Sequence, residues 1–226
     1  MTTFRLAGVD VPRIGLGTNR LGAGHVEFIR DAVAAGIRHI DTAHLYTSGQ
    51  SERTIGEALE GVGEAVLVAT KGGFRGGRPE VLQAEIEQSL RSLRTEAIGL
   101  YYLHRVDPDT PLEESLGAIK AYVDRGAIRH VGLSDVTVEQ IERGRTVLEI
   151  AAVQNRYNVA DRKHDDVVDH CAAEGIAFVP FYPLHGDGST REKLAWLLGR
   201  APNVLPIPGT RSLAHLRENL AALNHA

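Results

Sequence analysis

Gly36-Ile37-Arg38-His39-Ile40-Asp41-Thr42-Ala43-His44-Leu45-Tyr46 reads as a short apolar strand, 37–41, that runs into a loop. The strand ends on a carboxylate, and a phenol follows five residues later. Asp is almost never fully buried without a partner, so a short apolar strand has no packing reason to stop on Asp41. Asp41 is therefore either a turn residue or one half of a charge pair. The flanking chain decides between the two.

On the N-terminal side, Val26, Ile29, Ala32 or Val33 and Gly36 fall at helical spacing, and Gly36 stops a helix over 26–35. The apolar run 13–18 before it ends in Gly17-Thr18. On the C-terminal side, a helix over 51–59 starts at Ser51 as its cap, and a β-rich run, 65–71, ends on Lys71. The amphipathic helix 79–93 carries Leu82, Ile86, Leu90 and Leu93 on one face. Strand 98–104 ends on His104. The same alternation continues with helix 112–123, strand 128–133, helix 138–148 and strand 150–154. It closes with helix 161–173 capped by Asp161 and stopped by Gly175, strand 176–180, helix 190–198, strand 204–206 and helix 212–223.

Nearly continuous apolar strands alternating with amphipathic helices mean a parallel sheet covered by helices. Eight such units predict an α/β fold, a compact (β/α)₈ TIM barrel with short loops at the C-terminal face, forming one domain over 1–226. A doubly wound open sheet is the structural alternative. Gly15-Leu16-Gly17-Thr18-Asn19-Arg20 lacks the third glycine of a dinucleotide fingerprint, which counts against it.

Bulk composition narrows the function. A net charge of −4 gives no polybasic footprint for nucleic acid, and no apolar run approaches membrane-spanning length. The N-terminus shows no signal-peptide core, and the single cysteine, Cys171, fits a reducing, cytoplasmic setting. Cys171 falls on an apolar helical stripe with Val167 and Val168 and reads as packing. The ten histidines form no metal-ligand spacing, so no metal is expected.

In a parallel barrel the C-terminal strand ends share one face. Asp41, Lys71 and His104 each end a predicted strand there, and Tyr46 lies just past Asp41. Strand alternation puts Ile37 and His39 on Asp41's side, Leu67 and Ala69 on Lys71's, and Leu100 and Tyr102 on His104's. A free phenol, with pKa about 10, is a poor acid at neutral pH, and a neighbouring ammonium is expected to lower that value. Asp41 would hold Lys71, and His104 could donate to a carbonyl oxygen. The set suits carbonyl reduction, with a cofactor supplying the hydride that no side chain here can give.

These motifs resemble the aldo-keto reductase family over nearly the whole chain. Asp41-Thr42-Ala43-His44-Leu45-Tyr46 with Ser51-Glu52 and Ile55-Gly56, Ala69-Thr70-Lys71-Gly72-Gly73, and Tyr102-Leu103-His104-Arg105-Val106-Asp107-Pro108 carry the resemblance. It implies an NAD(P)H-dependent oxidoreductase with Asp41, Tyr46, Lys71 and His104 as a catalytic tetrad and Tyr46 as general acid. It implies a nicotinamide cofactor, NADPH with NADH as the alternative, lying extended across the barrel mouth. Gly17, Thr18 and Asp41 would border it, and Ser134, Asp135 and Gln154 would hold its carboxamide. Residue 135 is Asp here where the family has Asn; ionised Asp accepts hydrogen bonds but does not donate. Ser134-Asp135 also reads as a helix N-cap. Phe181 would stack on the nicotinamide, with Leu184 beside it. Gly209, Thr210, Arg211, His215, Glu218 and Asn219 would take the adenosine-phosphate end. Gly209 and His215 stand where many members carry Lys and Arg, and Arg211 is near enough to substitute.

Only about twenty residues separate Pro180 from Val204, where members usually carry more, and the chain reaches Ala226 without the family's C-terminal extension. The expectation is a shallow, open site for a small-molecule carbonyl substrate, one that a second subunit could complete. The alternative function is a non-reducing barrel on the same scaffold: a cofactor-binding regulatory subunit, or a pathway cyclase or isomerase using the same tetrad.

Overall fold

The computed structural model describes residues 2–63 and 65–225, with the backbone alone for His225. The outermost limits of the expected domain, residues 1 and 226, lie outside them. The parallel strands are β3 (Leu16–Gly17), β4 (His39–Asp41), β5 (Leu67–Gly72), β6 (Ile98–Leu103), β7 (Ile128–Ser134), β8 (Ile150–Gln154) and β9 (Ala177–Phe178). They are hydrogen-bonded in that order, every pair parallel. The helices are α1 (Val26–Ala34), α2 (Gln50–Leu59), α3 (Pro79–Ser92), α4 (Leu112–Asp124), α5 (Val138–Arg145), α6 (Asp165–Glu174), α7 (Thr190–Arg200) and α8 (Leu213–Ala221).

Segment 204–209 closes the ring as its eighth stave. Leu205 N donates to Phe178 O at 2.8 Å on one side, and Gly15 N and Gly17 N donate to Pro206 O and Pro208 O at 3.0 and 3.3 Å on the other. Both prolines face β3, where their carbonyls accept but no N–H returns a bond. The closing strand is therefore irregular, held by isolated bridges at Phe178–Val204 and Gly17–Gly209. The fold is a (β/α)₈ barrel.

Alternation along each strand sorts the core into two shells. Leu67, Ala69, Leu100, Tyr102, Ala152, Ala177, Leu205 and Ile207 pack inside the ring. Ile40, Tyr101, Leu103, Leu133, Val153 and Phe178 face the helices, against residues such as Ile29, Ile55, Leu82, Ile86, Leu116, Ile141 and Leu216. Gly132 makes room for Tyr102: a Cβ there would sit 2.4 Å from its ring. Ile37 joins the outer cluster rather than Asp41's side, because the chain has not yet entered β4 at that point.

An antiparallel hairpin, β1 (Thr3–Leu6) and β2 (Val9–Pro12), precedes the barrel and was not expected. Its turn residues Ala7 and Gly8 both have positive φ, as a two-residue type I′ hairpin turn requires. Leu6 and Val11 bury themselves in the inner cluster.

Three capping expectations are corrected. Ser51 lies inside α2, whose cap position is Gly49 (φ +79). The Ser51 hydroxyl instead bonds Thr18 Oγ1 at 3.0 Å and Thr42 Oγ1 at 2.8 Å, where a polar side chain between packed elements finds its partners. Asp161 does not start α6; it bridges Asn158 and pairs with Arg156 at 3.0 Å in a compact turn that delays the helix to Asp165. Ser134-Asp135 does not cap α5. Thr137 does, through a reciprocal box with Gln140.

Candidate active site

Asp41 ends β4, Lys71 lies near the end of β5 and His104 follows β6, so three neighbouring strands bring them to one rim. Lys71 Nζ donates to Asp41 Oδ1 at 2.6 Å and to Thr42 O at 2.7 Å. The pair is almost sealed from solvent, with side-chain exposures of 1% and 2%. Asp41 Oδ2 accepts from Gln154 Nε2 at 2.8 Å, and Asp41 O accepts from Thr18 N and Thr18 Oγ1. The Asp41 alternatives are thereby settled in favour of the charge pair.

Tyr46 opens a tight turn, Tyr46–Gly49, in which Thr47 (φ 46) and Ser48 (φ 54) precede Gly49 in the left-handed region. A β-branched residue there is strained, and Thr47 is held by donating to Leu21 O at 2.7 Å. The turn lays the Tyr46 ring 5.0 Å from Lys71 Nζ and 6.1 Å, edge-on, from the His104 ring.

Electrostatics refine the expectation for the phenol. Burial pushes the Tyr46 hydroxyl above its ordinary value, outweighing the downward pull of Lys71. The expected lowering does not appear in the free protein, because burial disfavours the phenolate more than the ammonium favours it, and the Asp41 carboxylate adds to that effect. Burial would lower Lys71, but Asp41 and Tyr46 more than compensate, so it is held in the ammonium form. Burial, then Lys71 and Arg105, brings His104 down to about 3, which makes it a neutral imidazole. Burial pushes the Cys171 thiol up to about 12, and the residue is fully enclosed in the core.

A cleft of about 860 Å³ opens over this rim. It runs from Tyr46, Phe74 and His104 past Asp41, Ser134, Gln154 and Phe181 to the loop entering α8. Gly17, Thr18, Asp135, Leu184, Gly209, Thr210, Arg211 and His215 also line it. Lys71 stays behind the wall. Glu218 and Asn219 do not line it: the cleft meets only the first turn of α8, and at the next turn Glu218 faces solvent while Asn219 faces the core. Asp135 takes a left-handed conformation (φ 56), which Asp and Asn tolerate better than other side-chain-bearing residues.

Sequence reasoning missed Phe74, Arg105 and Tyr182 on the walls. Phe74 (40% exposed) and Tyr182 (59%) leave the mouth open. Each follows a strand end or its loop, and Arg105 directly follows His104, which was the available signal.

Comparison with known proteins agrees with this geometry. The model of the Aldo/keto reductase family matches residues 13–194. Pyridoxine 4-dehydrogenase of Escherichia coli (strain K12) is 36% identical, covering 97% of this chain and 92% of that protein. That alignment runs over 263 positions, more than the 226 residues here, so the relative has residues where this chain has none. An uncharacterized oxidoreductase of Schizosaccharomyces pombe is 35% identical over 97% of this chain and 84% of its own length. A thermostable aldo-keto reductase solved with the inhibitor epalrestat superposes with a TM-score of 0.89 at 29% identity, covering 99% of this chain and 94% of that one. An aldo/keto reductase from Klebsiella pneumoniae solved with NADP and acetate gives 0.87 at 27%, covering 99% and 90%. Sequence match and barrel geometry thus agree over almost the full length, and the chain belongs to the aldo/keto reductase family.

Proposed function

We propose that this protein reduces an aldehyde or ketone to the alcohol with NADPH, Tyr46 delivering the proton. As a family member it is an NAD(P)H-dependent oxidoreductase. The observation that carries the finer reading is the buried Lys71–Asp41 pair standing behind a protonated phenol and beside a neutral imidazole.

The cleft's residues fit a nicotinamide dinucleotide. Gln154 spends its amide N–H on Asp41 and keeps its carbonyl oxygen as an acceptor, and Ser134 adds a hydroxyl. Together they suit a carboxamide, and Phe181 offers a π-face. A Cβ on Gly17 would lie 2.7 Å from Ile207 O, so the glycine lets two staves approach at the edge of the cleft. The first turn of α8 with Arg211 suits phosphate, and that cation favours NADPH over NADH. Bound there, the reduced nicotinamide supplies a hydride to the carbonyl carbon.

The chain's own residues hold the carbonyl oxygen and give it a proton. His104 Nδ1 is buried without a partner among the described residues, so Nε2 is the ring nitrogen that meets the cleft. As an N–H donor it fixes the oxygen opposite the Tyr46 hydroxyl. Tyr46 transfers its proton as negative charge develops there. Lys71, anchored by Asp41 and Thr42, stabilises the phenolate that forms. The substrate is a small molecule, and a buried, reduced Cys171 accords with a cytoplasmic setting.

The test is a carbonyl panel run with NADPH and with NADH. Tyr46→Phe should cut reduction by about 10²–10⁴-fold while cofactor binding persists. Full activity in that variant overturns the assignment.

A further inference from the structure

The cleft carries three arginines, on two sides of the ring. Arg211 follows the eighth stave and Arg20 follows β3, the first, so these two are neighbours at the phosphate end. Arg105 follows β6, the fourth stave, diametrically across the mouth. A cofactor phosphate held at α8 leaves Arg105 on the far side, with Tyr46 and His104.

Arg105 is exposed and has no carboxylate within ion-pair distance among the described residues. Its guanidinium lies 4.3 Å over the face of Phe74, whose ring meets His104 edge-on at 5.0 Å. The cation is thus held one phenyl ring away from the imidazole. The acid nearest in sequence, Asp107, has its carboxylate filled: Oδ2 accepts from Gly77 N at 2.7 Å and Thr110 Oγ1 at 2.9 Å, and Oδ1 from Asp109 N at 3.1 Å. The remaining acids on the cleft do not compete. Asp41 is paired with Lys71, and Asp135 follows β7 on the carboxamide side. Asp107 feels the Arg105 charge from beyond ion-pair distance, so a chain of net charge −4 presents a guanidinium with no salt-bridge partner among the described residues beside its reacting groups.

We infer that Arg105 recognises an anionic group on the substrate, so that the preferred substrates are aldehydes or ketones bearing a carboxylate or phosphate. The planar fork suits both anions, and stacking on Phe74 fixes its orientation before binding. The apolar Phe74 ring spans the gap between anion and carbonyl.

The inference rests on the carbonyl-reductase reading but is tested apart from turnover. Titration calorimetry on the NADP⁺-loaded protein measures 4-carboxybenzaldehyde against methyl 4-formylbenzoate, and glyceraldehyde 3-phosphate against glyceraldehyde. In the wild type the charged member of at least one pair should bind more tightly, and the responding pair names the anion. In Arg105→Gln that charged-to-neutral ratio should fall about tenfold, as expected for a lost charge-assisted hydrogen bond. In Arg20→Gln it should fall far less. Equal affinities within both pairs, absence of binding by either charged probe, or equal losses in the two variants overturns the inference. Charge-selective binding without NADPH oxidation would instead overturn the reductase reading and leave Arg105 as an anion site.

Discussion

Gln154 Nε2 and Asp41 Oδ2 meet at 2.8 Å, joining the ends of β8 and β4, staves that stand opposite each other in the ring. One carboxylate therefore answers to two clients, the lysine behind the phenol and the glutamine proposed to hold the carboxamide. Removing the glutamine leaves a buried acceptor short of a donor, which costs about 1–3 kcal/mol. Gln154→Ala should lower unfolding free energy by that amount and weaken NADPH binding. Urea denaturation and fluorescence titration read the two effects, and a variant that loses neither would show the link to be idle.

Lys71→Met strips Asp41 of its counter-charge while both sites stay sealed from water. Breaking such a pair from one side costs about 3–5 kcal/mol. Stability should drop by that amount and reduction should become barely measurable. Lys71→Met/Asp41→Asn should recover stability but not rate; recovery of the rate by the double variant would remove Lys71 from the chemistry.

The two reaction directions should respond differently to pH. In the proposed mechanism reduction consumes a protonated Tyr46, and burial holds that hydroxyl above its ordinary value, so its rate should stay flat from neutrality to beyond pH 9. Alcohol oxidation needs the phenolate and should climb throughout the alkaline range. His104, at about 3, titrates in neither window. Initial rates in both directions settle the matter, and a reduction rate that falls with an apparent pKa near 7 would contradict it.

Acid should unfold the protein through its histidines. Burial lowers His39 to about 4, and His104 stands at about 3. Both folded values lie below the unfolded one, so the stability they contribute is complete above about pH 6.5 and is lost as pH falls towards 4. Each adds a slope of about 1.4 kcal/mol per pH unit in that interval. Burial raises Glu52, which gives the opposite slope above its ordinary range, so the informative quantity is a difference. The gap between wild type and His39→Gln should widen in the variant's favour as pH drops from 6.5 to 4.5.

What was legible in the sequence was whatever a short apolar strand makes conspicuous. Asp41, Lys71 and His104 stand out because they end runs such as Leu100-Tyr101-Tyr102-Leu103, and a parallel barrel brings such ends together by topology alone. The hairpin at 3–12 was not legible, since its strands are short and its apolar partners, Leu67 and Leu100, are remote in sequence. The Ser51 cap was misread because its hydroxyl serves Thr18 and Thr42, contacts that only packing creates. The Asp41–Gln154 bond spans 113 residues and leaves no local trace. The Tyr46 shift was expected downwards because a nearby ammonium can be read from strand order, whereas the degree of burial cannot.

The prolines of the closing stave have a dynamic consequence. Along the line where segment 204–209 meets β3, Pro206 and Pro208 supply carbonyls but have no amides to return, so the seam is held by fewer bonds than a regular strand pair and ends at the single bridge Gly17–Gly209. Local opening follows the sparsest hydrogen bonding, and the amides of Gly15 and Gly17 should exchange with deuterium before those of β5, β6 and β7. The loop that reaches the first turn of α8 hangs from the end of this same line. If the barrel opens locally, its mouth should part first along this seam, with the helical jacket still packed, and the order of amide exchange reads that out.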